Sequence, residues 1–239
     1  MEIFGIRAVM EAINSSKDID KVFIQIGLKG SLINTLESVI RKNKINFSYV
    51  PKQKLDRLSK KNHQGVIARI SPIQFLDLNQ IDTIIKEIKS PLLLILDQIN
   101  DVRNFGAIIR TAEVAGVTAV VIQNSSSASV NSDTIKTSAG AIFNIPVCKV
   151  NHIKDAIYHF KSLGVSIVSA SEKSDKKLYD IDLNKSVAIV MGSENKGINK
   201  SVLKISDEIV KLPMYGKIES LNVSVACGIF LYEAIRQRI

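Results

Sequence analysis

Four short apolar runs constrain this chain more than any other feature: PLLLILDQI from Pro91, VTAVVI at 117–122, VSIVSA at 165–170 and VAIVMG at 187–192. A strand with one wet face alternates apolar and polar residues. An uninterrupted run is instead what a strand needs when both of its faces are covered. Each run is separated from the next by a segment with helical signals, and β alternating with α implies a parallel sheet joined by right-handed crossovers. The expected fold class is α/β, with this sheet in a domain over residues 91–239.

The first 72 residues read as a separate, smaller α/β domain. A short helix is expected at Ala8–Asn14, a strand at Val22–Ile26 and a helix at Leu32–Lys42, where Leu32, Leu36, Val39 and Ile40 share one face at helical spacing. Short strands follow near Phe47–Val50 and Val66–Ile70. The loop SKKNHQG lies between them, its Gly65 suited to a turn that needs positive φ. Residues 73–90 read as a linker with a short amphipathic helix, bounded by the breakers Pro72 and Pro91.

Charge points to the partner. The 239 residues carry a formal +9, and residues 1–89 hold 15 Lys and Arg against 9 Asp and Glu. Binding a polyanion releases its condensed counterions, so such a balance favours nucleic acid. Arg41, Lys42, Lys44, Lys52, Lys54, Arg57, Lys60 and Lys61 stand against Asp56 alone and are the candidate phosphate-contacting stretch, with His63 in the loop that follows. Cys148 and Cys227 sit in apolar surroundings without CxxC spacing and read as core residues of a reducing compartment. The three histidines do not fall at ligand spacings, so no metal is expected. The start lacks a signal-peptide pattern and no run approaches a membrane span, which makes a cytoplasmic protein the expectation.

Three segments carry candidate chemistry. In DQINDVRNFGAIIRTAEVAGV, Asn104 is expected to cap a helix, Gly106 and Ala107 keep its first turn slim, and Gly116 closes it. Arg110, flanked by Ile108, Ile109, Ala112 and Val114, calls for an anionic partner. IVMGSENKGI delivers a buried strand into a loop with Gly192 and Gly197, beyond which ligands bind in open α/β sheets. Its Glu194 either orients a substrate group or caps the next helix. The pattern is not GxGxxG, so dehydrogenase chemistry loses weight. In KLPMYGKIESLNVSVACGIFLYEAI, Ser220, Asn222 and Ser224 gather at the start of a last helix expected over about 221–238. They either cap that helix or line a pocket.

Taken in order, NFGAIIRTAEVAG, VMGSENKG and LPMYGKIESLNVSVACGI resemble the three motifs of the SpoU family of RNA ribose 2′-O-methyltransferases, within the SPOUT superfamily. FGIRAVMEAI and LDRLSKKNHQGVIARI resemble the L30e-like substrate-binding domain of the bacterial branch that methylates a guanosine of 23S rRNA. The start departs from that branch's Gly-Arg/Lys-Asn-x-Val, having Gly5, Ile6, Arg7, Ala8 and Val9. The resemblance implies a C-terminal trefoil knot, S-adenosylmethionine as cofactor and a homodimer whose sites are completed across the subunit contact. It implies that Gly192, Leu212, Met214, Leu221 and Asn222 hold the cofactor, and that Arg110 acts with Asn104, Glu194, Asn222 and Ser224 in catalysis. A guanidinium with pKa above about 12 is a poor base, so Arg110 is expected to orient the ribose-phosphate. Two other readings stay open on sequence alone: a ribose methyltransferase for tRNA or for another rRNA site, and a non-catalytic RNA-binding or ribosome-assembly factor.

Overall fold

The computed structural model describes residues 2–15, 17–125, 127–194, 196–218 and 220–239 and divides into two compact units, 1–74 and 75–239. The first runs β1 (Glu2–Phe4), α1 (Ile6–Asn14), β2 (Ile19–Gln25), α2 (Ser31–Lys42), β3 (Phe47–Val50), α3 (Lys52–Leu58) and β4 (Val66–Ile70). Its sheet has the order β1-β4-β2-β3, with β2 and β3 parallel and β4 antiparallel to both neighbours. Side chains alternate across a strand. Val22, Ile24, Val66 and Ala68 therefore face α1 and α2, while Phe23 and Ile67 face Leu55 of α3.

The loop before β4 is fastened from inside. The Gly65 N–H donates to His63 Nδ1 at 3.0 Å, which leaves the ring proton on Nε2, 2.9 Å from Asp56 Oδ1. Gly65 has φ +77, as its turn requires, and an added Cβ would come within 2.9 Å of the Leu28 side chain.

The second unit runs α4 (Leu78–Lys86), β5 (Leu92–Asp97), α5 (Val102–Val114), β6 (Ala119–Gln123), α6 (Ser132–Thr137), β7 (Val147–Val150), α7 (Ile153–Ser162), β8 (Ser166–Ala170), β9 (Val187–Gly192), α8 (Lys200–Leu203), β10 (Glu208–Val210) and α9 (Val223–Arg236). The sheet order is β10-β8-β9-β5-β6-β7 and every pairing is parallel. The four apolar runs are its four central strands, and β5 is buried along its whole length. Chain order proceeds from β5 outward through β6 and β7, then resumes on the far side of β9. The direction reverses beside β5, and the crevice beyond the carboxyl ends there is where an open α/β sheet takes ligands.

Residues 73–90 are not a free linker. Ile81 and Ile85 of α4 are buried in the core of the second unit with Phe160 and Val121, and Asp82 Oδ1 lies 2.6 Å from His159 Nε2 on α7. Leu76 forms a bridge with Cys148. The two prolines mark the ends of a docked helix. Burial pushes the Cys148 and Cys227 thiols up to about 12, so both stay protonated and inert at neutral pH. Among the described residues, no helix is long and apolar enough to cross a membrane, and no cluster of metal-ligating side chains occurs.

Arg238 closes the unit by donating to the carbonyls of Leu183, Ser90 and Lys185 at 3.1, 3.0 and 2.7 Å. Arg238→Ala leaves three carbonyls short of a charged donor. It is expected to lower stability by about 2–3 kcal/mol, read as an earlier midpoint in urea unfolding.

Candidate active site

A cavity of about 640 Å³ opens beyond the carboxyl ends of β8, β9 and β10 and is closed by the start of α9. Leu212, Leu221, Val223 and Phe230 give it apolar walls; Glu172, Lys173, Glu194 and Lys196 give it charge. A smaller cavity of about 170 Å³ lies beside the β5–α5 loop and shares Ser193, Glu194, Lys196 and Val223 with the larger one.

Glu194 ties this corner together. Its Oε1 accepts from Asn104 Nδ2 at 3.0 Å, from Asn222 Nδ2 at 2.6 Å and from the Val223 N–H at 3.4 Å, while Asn222 Nδ2 also reaches Asn104 Oδ1 at 3.0 Å. Three segments far apart in sequence thus meet at one carboxylate. A negative charge is favoured here because the α9 N-terminus presents unpaired N–H groups. Asn222 is the N-cap of α9, its Oδ1 accepting from the Ser224 N–H and from Ser224 Oγ. Capping and lining the cavity are therefore one role, held by the same side chain, and α9 starts at Val223, not at 221.

The structure corrects the expected cap of α5. Asp101 occupies that position and accepts from the Asn104 N–H at 2.8 Å. Asn104 lies within the first turn, so its amide is left to join Glu194 and Asn222. Glu194 likewise caps the last helix rather than the one that follows it in the chain.

Asp97, at the end of β5, is the residue that sequence reasoning missed. It is 3% exposed, and its Oδ2 accepts the Asn199 N–H at 2.7 Å, holding down the far end of the 193–199 loop. An acid terminating an apolar run was the available signal. The loop itself depends on Gly192, whose absent Cβ would lie 2.2–2.5 Å from the backbone of Gly197 and Ile198.

Of the residues expected to hold a cofactor, Gly192, Leu212, Met214, Leu221 and Asn222 all line the larger cavity, as does Glu194. Ser224 reaches the cluster through Asn222. Arg110 lines neither cavity. Ile108, Ile109 and Ala112 are buried while Arg110 faces solvent, so these three neighbours lie on the other side of the helix, whereas the exposed Val114 shares the solvent side with Arg110. No hydrogen bond or ion pair engages its guanidinium among the described residues. In the first unit the eight basic candidates are exposed, whereas His63 is 6% exposed with both ring nitrogens occupied. His63 shapes its loop.

Residues 91–232 match the SpoU rRNA Methylase family, and residues 3–76 match the RNA 2′-O ribose methyltransferase substrate binding family. The chain belongs to the SpoU rRNA methylase family. This SpoU methylase is 35% identical, over 99% of its length and 97% of the relative's, to the 23S rRNA (guanosine-2′-O-)-methyltransferase RlmB of Vibrio vulnificus. It is 37% identical to the protein of that name in Xanthomonas campestris, over 99% and 96% of the two chains. Its fold is shared with the SpoU methyltransferase AviRb of Streptomyces viridochromogenes in complex with AdoMet, at TM-score 0.63 and 21% identity over 100% and 90% of the chains. The AdoMet-bound rRNA methyltransferase of Sinorhizobium meliloti aligns at TM-score 0.63 and 22% identity, over 100% and 87%. The three sequence motifs of this methylase meet at the corner organised by Glu194.

Proposed function

We propose that this SpoU methylase transfers a methyl group from S-adenosylmethionine to the 2′-hydroxyl of a guanosine ribose in 23S rRNA. The observation that carries the reading is the Asn104–Glu194–Asn222 cluster at the rim of a nucleoside-sized cavity, in a chain whose relatives bear that activity in their names. The cavity fits the cofactor: apolar walls at Leu212, Leu221 and Phe230 suit an adenine, Glu172 and Glu194 suit its positively charged groups, and Lys173, Lys196 and Lys211 suit its carboxylate. When bound, S-adenosylmethionine supplies a methyl group already activated by its sulfonium centre.

The chain's part is to bind and orient. Gly192, Leu212, Met214, Leu221 and Asn222 hold the cofactor, and Asn104, Glu194, Asn222 and Ser224 form the polar edge that fixes the acceptor hydroxyl. Holding two reactants in line can account for much of such a rate enhancement. Arg110 grips the phosphate next to the acceptor ribose, and the proton lost from the hydroxyl as its oxygen takes the methyl group passes to that substrate phosphate or to water. The exposed Val114 of α5 and the exposed Val225 and Tyr232 of α9 support a homodimer through these helices. In that assembly Arg110, on the solvent side of α5, serves the partner's cavity.

The same reading takes residues 1–72 as an L30e-like RNA-binding domain and the C-terminal segment of the second unit as threaded into a trefoil knot. It places the enzyme in the cytoplasm with its rRNA. The test is to incubate the protein with labelled S-adenosylmethionine and with unmodified 23S rRNA or tRNA transcripts, then map ribose methylation. One 2′-O-methylguanosine in 23S rRNA is expected. Label in tRNA alone, or in no RNA, would refute it.

A further inference from the structure

The basic stretch 41–61 is continuous in sequence, but the sheet of the first unit divides it. α2 packs on the face that carries Val22, Ile24 and Val66, and Arg41 at its end lies 5.2 Å from the Phe47 ring centroid on that side. α3 packs on the opposite face. There three cations surround the Phe23 ring: Lys21 at 5.7 Å, Lys54 at 5.9 Å and Arg69 at 5.6 Å. Lys61 lies 5.5 Å from the neighbouring Phe4 ring.

Strand register explains the gathering. Arg69 is paired with both Lys21 and Glu2, and one pleat along, Ile67 is paired with both Phe23 and Phe4, so the cations sit directly beside the rings. Two of the four, Lys21 and Arg69, lie outside the basic stretch altogether. The opposing charges on this face are Glu2, 3.9 Å from Arg69, and Asp56, whose Oδ1 lies 2.9 Å from His63 Nε2. Four cations so placed repel one another. Contacts of exposed cations with ring faces offset little of that repulsion, whereas a polyanion removes it and releases its counterions.

We propose that this face of the first unit, built from Lys21, Lys54, Lys61 and Arg69 around Phe4 and Phe23, is the surface that grips the RNA phosphate backbone. Arg41, Lys42 and Lys44 are not part of it. The partner named here rests on the RNA methyltransferase reading.

The full chain should be titrated with an unmodified 23S rRNA transcript across a range of salt, comparing K54Q/K61Q with K42Q/K44Q. All four lysines are exposed, so folding is not at issue. K54Q/K61Q is expected to weaken binding about tenfold and to flatten the salt dependence by about one to two phosphate contacts, while K42Q/K44Q stays within about twofold. Equal losses in the two variants, or a larger loss in K42Q/K44Q, would overturn the assignment. So would K54Q/K61Q binding like the unaltered protein. Binding is read apart from methyl transfer, so a transcript that is bound but never methylated refutes the catalytic reading instead.

Discussion

Gly192→Ala is expected to weaken S-adenosylmethionine binding by about ten- to a hundredfold, the equivalent of the 1–3 kcal/mol that overpacking typically costs. The reason is the neighbour that the new methyl group would meet. Its position lies 2.2 Å from the Gly197 carbonyl carbon, 2.3 Å from the Ile198 nitrogen and 2.5 Å from the Gly197 oxygen. All three are backbone atoms, which have no rotamer by which to retreat. The loop is also held at both ends: the Gly197 N–H donates to the Ser193 carbonyl at 2.8 Å, and Asp97 holds Asn199. Relief must therefore come from moving the loop that walls the cavity. Isothermal titration with the cofactor would measure the loss, and unaltered affinity would show that the loop does not shape the binding site.

Arg110→Lys is expected to reduce kcat by about a hundredfold or more at saturating RNA, with a smaller change in KM. Lysine keeps the charge but presents a point donor where a guanidinium presents a planar fork, and only the fork can clasp a phosphate through two parallel bonds. Arg110 is exposed and has no partner to hold it among the described residues, so the substitution removes no structural bond. A fall in rate without a fall in thermal stability would thus report on the reaction. Near-normal turnover would mean that charge alone suffices and that the guanidinium has no dedicated part.

The central strands were legible because burial on both faces leaves its mark in the residues themselves. The edge strands were not: β7 has one sheet neighbour and runs only Val147–Val150, and β10 begins with a glutamate. Asn104 was misread because Asp101, three residues earlier, suits a helix cap equally well. What separated them was Glu194, 90 residues away, which claims the Asn104 amide. How the basic stretch divides between two faces was hidden for a related reason, since proximity in sequence does not say which face of a sheet a side chain will join. His63 looked free for the same lack of information: its partners Asp56 and Gly65 are close in the chain, but only the fold reveals that they use both ring nitrogens.

The meeting of Asn104, Glu194 and Asn222 also bears on the order of events in folding. The Asn104–Asn222 contact closes a loop of 118 residues, at an entropic cost on the order of 4 kcal/mol for a flexible chain. Such a contact is among the last a chain makes, because the intervening strands must first supply the enthalpy that offsets it. Catalytic competence is then acquired late, after most of the sheet is in place, and a ligand that recognises only the finished corner would act as a clamp on the native state.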